Sequence, residues 1–166
     1  ALVTGAAAGI GAACAKRLAQ DGMAVGVLDL DEARCADTVK AIKDAGGMAI
    51  ALRPDVSSRE PACAAVAKLR AGFGPVTVLV NNAGVTDFTP FEEIEDDRWD
   101  FVYAVNVRGP MIMAQAVIGD MKAAHWGRIV NISSSSAQTG AVGMITYSSS
   151  KGAVVTMTRS MAQEFG

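Results

Sequence analysis

Apolar residues fall along this chain in short dense runs, separated by longer stretches in which they are spread among polar and small residues. The runs at 1–4, 24–28, 48–53, 76–80 and 128–133 are dominated by Ala, Leu, Val, Ile and Met. Short runs with little polar alternation mark strands buried on both faces, as in a parallel sheet. The stretches between them predict helices over 11–21, 32–45, 58–73, 97–122 and 147–165. Asp31 is expected to cap the second helix. Ser57 with Glu60 is expected to form a capping box on the third, with Pro61 tolerated in its first turn. Gly109-Pro110 lies inside the fourth and predicts a break or kink, because proline has no amide donor and its ring crowds the preceding turn. The acidic run from Glu92 to Asp97 suits the positive N-terminal end of that helix. Strand and helix alternate throughout, without repeats. The prediction is one α/β domain over 1–166, a doubly wound parallel sheet with helices on both faces and ligand at the strand C-terminal ends.

The first strand runs into Thr4-Gly5-Ala6-Ala7-Ala8-Gly9-Ile10-Gly11 and then into an alanine-rich helix. Strand, glycine turn and helix form the context of a dinucleotide site. Gly5 permits the tight turn, Gly9 lets the backbone approach a pyrophosphate, and Gly11 lets helix pack on strand. The helix N-terminus offers unpaired amides to the phosphates. The spacing departs from G-x-G-x-x-G, and no Gly-Lys-Ser/Thr follows, so a Walker loop is excluded. The second run ends at Asp29, eighteen positions after Gly11. A carboxylate there accepts hydrogen bonds from adenosine ribose hydroxyls and repels a 2′-phosphate. Asp29 could instead cap the next helix, but Asp31 is placed to do so. Ala8 leaves the turn without a basic residue, and Arg34 is the one basic group nearby. The cofactor expected is NAD, with NADP disfavoured.

Tyr147 and Lys151 stand four residues apart in Tyr-Ser-Ser-Ser-Lys, one turn apart on one helix face. An ammonium beside a phenol favours the phenolate and gives a group able to pass a proton either way. The spacing alone is common on surface helices; its pairing with the glycine turn is what gives it weight.

Composition narrows the field. About half of the 166 residues are apolar (51%) and the formal net charge is −2. A near-neutral, scattered charge gives no electrostatic case for nucleic acid or an anionic membrane. No signal peptide or membrane span is expected: the uncharged stretches are broken by glycine or rich in Ser and Thr. Cys14, Cys35 and Cys63 are far apart and form no metal-ligand spacing, so no metal is expected; reduced thiols suit a cytoplasmic protein. Cys14 is expected as a small core residue. His125 is expected as a solvent-facing helix-end residue.

These motifs together resemble the short-chain dehydrogenase/reductase family in its small single-domain form. Thr4 to Gly11 resembles its cofactor loop, Asp55-Val56 its adenine-contacting pair and Asn81-Asn82-Ala83-Gly84 its Asn-Asn-Ala-Gly. Asn106 resembles the helix asparagine of its catalytic tetrad. Ser134, thirteen residues before Tyr147, resembles the catalytic serine, with Ser133 and Ser135 as neighbouring candidates. The resemblance implies a Rossmann-like fold and a tetrad of Asn106, Ser134, Tyr147 and Lys151. It implies cofactor contacts at Gly5, Gly9, Ile10, Gly11, Asp29, Asp55, Val56, Asn82, Ala83, Gly84, Tyr147 and Lys151. Ser134 and Tyr147 would stabilise developing charge on a substrate oxygen. Lys151 would bind the nicotinamide ribose, and Asn106 would hold a water that links Lys151 to solvent. The implied protein is an NAD(H)-dependent oxidoreductase of a secondary alcohol or its ketone, and a homo-oligomer, dimer or homotetramer. Met111, Ile112 and Met113 fit either the core or such an interface.

Three other readings compete. An NADPH-dependent 3-oxoacyl-carrier-protein reductase is also resembled, against which Asp29 argues. A non-catalytic dinucleotide-binding regulator has no need of Ser134, Tyr147 and Lys151. Sugar-nucleotide epimerases share Tyr-x-x-x-Lys but have a different glycine spacing. Both ends of the chain read as truncated, with the family's C-terminal strands and substrate lid expected beyond 166 and the fifth strand expected as an open edge. Gln138, Thr139 and Met144 are expected to face a substrate whose identity the sequence does not give.

Overall fold

The structure is a computed structural model that describes residues 1–166. Five strands, β1 (Leu2–Thr4), β2 (Val25–Leu28), β3 (Ala49–Leu52), β4 (Val78–Asn81) and β5 (Arg128–Asn131), form one parallel sheet in the order β3-β2-β1-β4-β5. The chain starts in the middle strand, winds outward through β2 and β3, then returns to place β4 and β5 on the other side. That reversal between β1 and β4 opens the crevice at which doubly wound sheets bind ligands. The predicted fold class is the one observed.

The pleat sends alternate residues of these apolar strands to opposite faces. Leu2, Leu28, Leu52 and Leu79 join one buried cluster, with α3 (Arg59–Phe73) and α5 (Gly109–Ala123) packed over them. Val3, Val25, Val27 and Val80 join the other, under α1 (Gly9–Gln20) and α2 (Ala36–Asp44). Leucine on one face and valine on the other explains why the runs lacked polar alternation: along β1, β2 and β4 neither face meets water. The last helix, α7 (Ile145–Phe165), buries Thr146, Ser150, Lys151 and Val154 near its start. β5 is the open edge expected, with Arg128 and Val130 exposed.

Three local expectations change. The second helix opens as a 3-10 turn over Glu32–Cys35, with the Asp31 carboxylate accepting from the Ala33 amide, so the cap is as expected but the α-helix begins later. The capping box at Ser57 and Glu60 does not form. Ser58 is the N-cap, without a side-chain bond, because the Asp55 carboxylate has taken both the amide (2.8 Å) and the hydroxyl (2.7 Å) of Ser57. Gly109-Pro110 does not break the fourth helix. Helix runs unbroken from Asp96 to Ala123 as α4 (Asp96–Tyr103), a π-helical turn (Ala104–Arg108) and α5. The Gly109 amide donates to the Ala104 carbonyl, five residues back, and the wider turn carries the helix past Pro110. The continuous helix is long and apolar enough to cross a membrane by composition. It is a core helix here: Ile112, Met113, Ala114 and Val117 are buried in the first cluster, which settles Ile112 and Met113 as core.

Candidate active site

Gly5 and Gly9 both have left-handed backbones, φ 62° and 55°. A methyl carbon on Gly5 would lie 2.9 Å from the Ala83 Cα, and one on Gly11 would lie 2.3 Å from the Gly5 carbonyl oxygen. Those two glycines are required by packing. Gly9 differs: a methyl there would meet nothing within 4 Å. It faces open space over the turn, beside an α1 N-terminus whose N-cap, Ala8, has no capping side chain. Uncapped amides, a positive dipole end and open space over Gly9 all fit a dinucleotide pyrophosphate. Ile10 is exposed at the same place.

Asp29 directly follows β2, at the end of the apolar run. Its Oδ1 accepts from the Leu30 amide at 2.9 Å and lies 3.4 Å from Arg34 Nη1. The Asp29 side chain is mostly buried whereas that of Arg34 is exposed, so the ion pair is partly screened. Arg53 Nε donates to the Leu30 carbonyl at 3.3 Å, which brings a second guanidinium to the same segment. Asp55 is exposed. Val56 is buried against Gly109.

Thr4, at the flank of the turn, holds it in place. Its Oγ1 accepts from the amides of Asn82 (3.0 Å) and Ala83 (2.9 Å). Asn82 Nδ2 donates to the carbonyls of Thr4 and Gly5, both at 3.0 Å. Gly84 then abuts the other half of the site: a methyl on it would be 3.2 Å from Asn106 Oδ1 and 3.4 Å from Lys151 Nζ.

Tyr147 lies in the first turn of α7 and is half-buried. Lys151 is buried one turn on, with Nζ 5.8 Å from the centroid of the Tyr147 ring. Nζ donates to the Ile132 carbonyl at 2.9 Å. An ammonium has three donors, so two remain for a ligand or water. Burial pushes the Lys151 pKa down, by loss of hydration of the charged form. Asn106 sits in the π turn and is buried. Its Oδ1 accepts from the Val85 amide (2.8 Å), while Nδ2 donates to the Val85 carbonyl (3.0 Å) and to Ser150 Oγ (3.0 Å). Ser150 Oγ in turn donates to the Tyr147 carbonyl at 2.6 Å. Both donors of the Asn106 amide are used in this bracing. A water beside it would use the main-chain carbonyl, which Pro110, four residues on and lacking an amide hydrogen, cannot satisfy.

The serines after β5 separate by their bonds. Ser133 Oγ donates to the Lys151 carbonyl at 3.0 Å and ties the strand end to α7. Ser134 Oγ accepts from the amide (3.2 Å) and hydroxyl (3.0 Å) of Ser136, in the short helix α6 (Ser136–Thr139). Ser135 is exposed. The structure thus gathers Asn106, Tyr147, Lys151 and Gly84 around one point at the ends of β4 and β5, with Ser133 committed to a structural tie. Sequence reasoning passed over Thr4 and Ser150. Their signal was a hydroxyl beside each motif, next to Gly5 and inside Tyr-Ser-Ser-Ser-Lys. His125 is exposed at a helix end, as expected, with φ 50°. Cys35 is buried and its thiol is pushed up to about 11 by burial and by Asp29, Glu32 and Asp31.

A groove of about 650 Å³ lies elsewhere, along the open edge of β5 between Trp126, Met161 and Phe165. None of the tetrad candidates lines it.

The family model described as short chain dehydrogenase matches residues 1–166. A short-chain reductase protein of Streptomyces niveus, NovJ, is 43% identical over 166 residues, covering all of this chain and 63% of its own length. The 2-(S)-hydroxypropyl-CoM dehydrogenase 3 of Xanthobacter autotrophicus is 33% identical, over 98% of this chain and 64% of its own. The chain therefore spans a little under two thirds of these curated relatives. The crystal structure of a metagenomic short-chain oxidoreductase in complex with NADP superposes with a TM-score of 0.94 at 34% identity, covering 98% of this chain and 73% of that one. With the matching model running end to end, this chain belongs to the short-chain dehydrogenase family.

Proposed function

We propose that this chain carries the cofactor site and proton-transfer groups of an NAD(H)-dependent oxidoreductase acting on a secondary alcohol or its ketone. The observation that carries the reading is Lys151, buried beside the Tyr147 ring with two donors to spare, at the strand ends that also hold the glycine turn. A buried ammonium with no carboxylate partner is costly unless something else uses it. A nicotinamide dinucleotide, when bound, supplies or accepts the hydride at the substrate carbon. Gly5, Gly9, Gly11 and the α1 amides seat its phosphates, Asp29 takes the adenosine ribose, and Lys151 takes the second ribose. In the reducing direction the Tyr147 hydroxyl passes its proton to the substrate oxygen as negative charge develops there. Ser134 donates a hydrogen bond to the same oxygen, and Lys151 stabilises the phenolate left behind. Asn106 braces Val85 and, through Ser150, the Tyr147 backbone.

A cytoplasmic setting is part of this reading, supported by three free thiols. So is a homo-oligomer, supported by the exposed Phe101 on α4. Full-length protein assayed against a panel of secondary alcohols with NAD and NADP, followed by nicotinamide absorbance, tests the proposal. No dinucleotide binding and no turnover would overturn it. A second reading, NADP(H) use in the manner of a 3-oxoacyl-carrier-protein reductase, is favoured by one arrangement: Arg34 on Asp29, with Arg53 beside it. The NADP complex of the superposed relative points the same way. The same assay separates the two.

A further inference from the structure

The segment from Asn82 to Glu95 crosses the mouth of the site with only one 3-10 turn, Phe91–Glu93, for regular structure. Apolar packing does little to fix it: Phe88 and Phe91 are exposed, as is Val142 on the facing loop. Polar ties hold it instead. Arg98, in α4, donates from Nε to Asp87 Oδ1 at 2.6 Å and from Nη2 to the Thr86 carbonyl at 3.2 Å. Thr89 Oγ1 donates to the same Asp87 oxygen at 3.2 Å. The Thr89 amide donates to the Gly143 carbonyl at 2.9 Å. Gly143 precedes Met144, the N-cap of α7, and Tyr147 is in that helix's first turn.

Among the protein's ion pairs, the Asp87 carboxylate is the most buried, its side chain 4% exposed against 13% for the next, Asp29. A buried carboxylate held in an ion pair seldom adds net stability over an apolar replacement, so its use here, with an exposed arginine as partner, points to fixing one arrangement. We infer that Asp87 and Arg98 are positioning residues that fix the loop from Thr86 to Thr89, and through Thr89 and Gly143 the start of the helix that bears Tyr147. This rests on the assignment of Tyr147 above. The pair sets where the phenol stands relative to a substrate and contacts neither.

Hydrogen exchange of the full-length protein, read by mass spectrometry, tests this without a substrate. The variants are Asp87→Ala, Arg98→Ala, the double variant, and Arg98→Lys, which keeps the charge but loses the fork that spans Asp87 and Thr86. In Asp87→Ala and Arg98→Ala, exchange at 140–147 is expected to rise tenfold or more, with 4–12 within twofold of wild type. The double variant should add nothing to either single one. Arg98→Lys should give an intermediate rise, and it carries the test if the alanine variants do not fold. Unchanged exchange at 140–147, or a rise shared equally with 4–12 as in global loosening, would overturn the inference. With the secondary alcohol that wild type oxidises fastest, kcat/KM should fall at least tenfold while the NADH dissociation constant stays within twofold. Failure to find any such alcohol would count against the proposed function, and the exchange data would still decide the positioning role.

Discussion

Alanine at Gly9 and at Gly11 should have different consequences, although both glycines belong to one turn. At Gly11 the new methyl would sit 2.3 Å from the Gly5 carbonyl oxygen, 2.6 Å from Asn82 Nδ2 and 2.9 Å from the Gly5 carbonyl carbon. Two of these are backbone atoms, so the turn itself must move. Overpacking of this kind costs about 1–3 kcal/mol, and backbone contact argues for the upper part of that range. Removing a glycine from a helix returns roughly 0.5–1 kcal/mol, leaving a net loss of about 2 kcal/mol. At Gly9 there is no collision, and the cost is that of holding an alanine at φ 55°, about 1–2 kcal/mol. The separation appears on binding. The Gly9 methyl fills the space assigned to the pyrophosphate, and a loss of at least tenfold in NADH affinity is expected, about 1.4 kcal/mol. Denaturant melts with and without saturating NADH measure both quantities, because a ligand of the folded state stabilises it in proportion to its affinity. A Gly9→Ala protein that binds NADH like wild type would show that the open space over the turn is not the dinucleotide seat. A Gly11→Ala protein of unchanged stability would refute the packing argument.

Other substitutions separate the remaining roles. Tyr147→Phe should lower kcat by roughly 10²–10⁴-fold in steady-state assays and leave NADH affinity within twofold, since only the transferable proton and its hydrogen bond are lost; near-normal turnover would remove Tyr147 from the mechanism. Asp29→Ala should narrow a preference for NAD over NADP that is expected to be tenfold or more in wild type, read by titration with both cofactors; tighter NADPH binding by wild type would reverse the cofactor assignment. Lys151 gives a pH prediction. Burial lowers its pKa in the fold, so below that folded value the ammonium is carried at a cost, and the unfolded chain binds more protons between the folded value and about 10.5. Stability of wild type relative to Lys151→Met should therefore rise as pH climbs through that window and level off above it. A flat difference across alkaline urea melts would mean that the lysine is solvated.

The strands and the site motifs were legible because they depend on local pattern: apolar runs for buried strands, glycines where a turn is tight, Tyr and Lys one helical turn apart. What the sequence hid depends on which of several local partners a group takes. Pro110 reads as a helix break, yet the helix passes through a π turn just before it and continues, held where Val56 packs on Gly109 and Asn81 Nδ2 donates to the Pro110 carbonyl at 3.3 Å. Ser57 reads as a cap until the neighbouring Asp55 carboxylate takes its amide and hydroxyl. Four adjacent serines after β5 are alike in sequence; only their partners in the fold, the Lys151 carbonyl for Ser133 and the Ser136 hydroxyl for Ser134, separate them. The burial of Asp87 has no sequence signal, since an acid in a loop reads as a solvated one.

The run from Asn81 to Val85 explains how the glycine turn and Tyr147, far apart in the chain, come to share one geometry. It leaves the end of β4, the strand that stands between β1 and β5. Asn81 Nδ2 reaches Asn131 Oδ1 on β5 at 2.8 Å, while Asn82 reaches back to Thr4 and Gly5 on the β1 side. Asn131 Nδ2 continues the chain to Thr158 Oγ1 in α7 at 2.9 Å. Gly84 has no side chain, so Asn106 and Lys151 can approach its backbone, and Val85 closes onto Asn106 through two hydrogen bonds. Amides suit this task because each offers donors and an acceptor without charge, so both neighbours can be tied with no ion to desolvate. A carboxylate at Asn82 could not donate to two carbonyls, and an aliphatic residue would leave those carbonyls unpaired in a crevice that a ligand is to dry. Tying the glycine turn and α7 to the same few residues lets the sheet set the distance between them, so that under the proposed function the cofactor seat and Tyr147 keep one spacing.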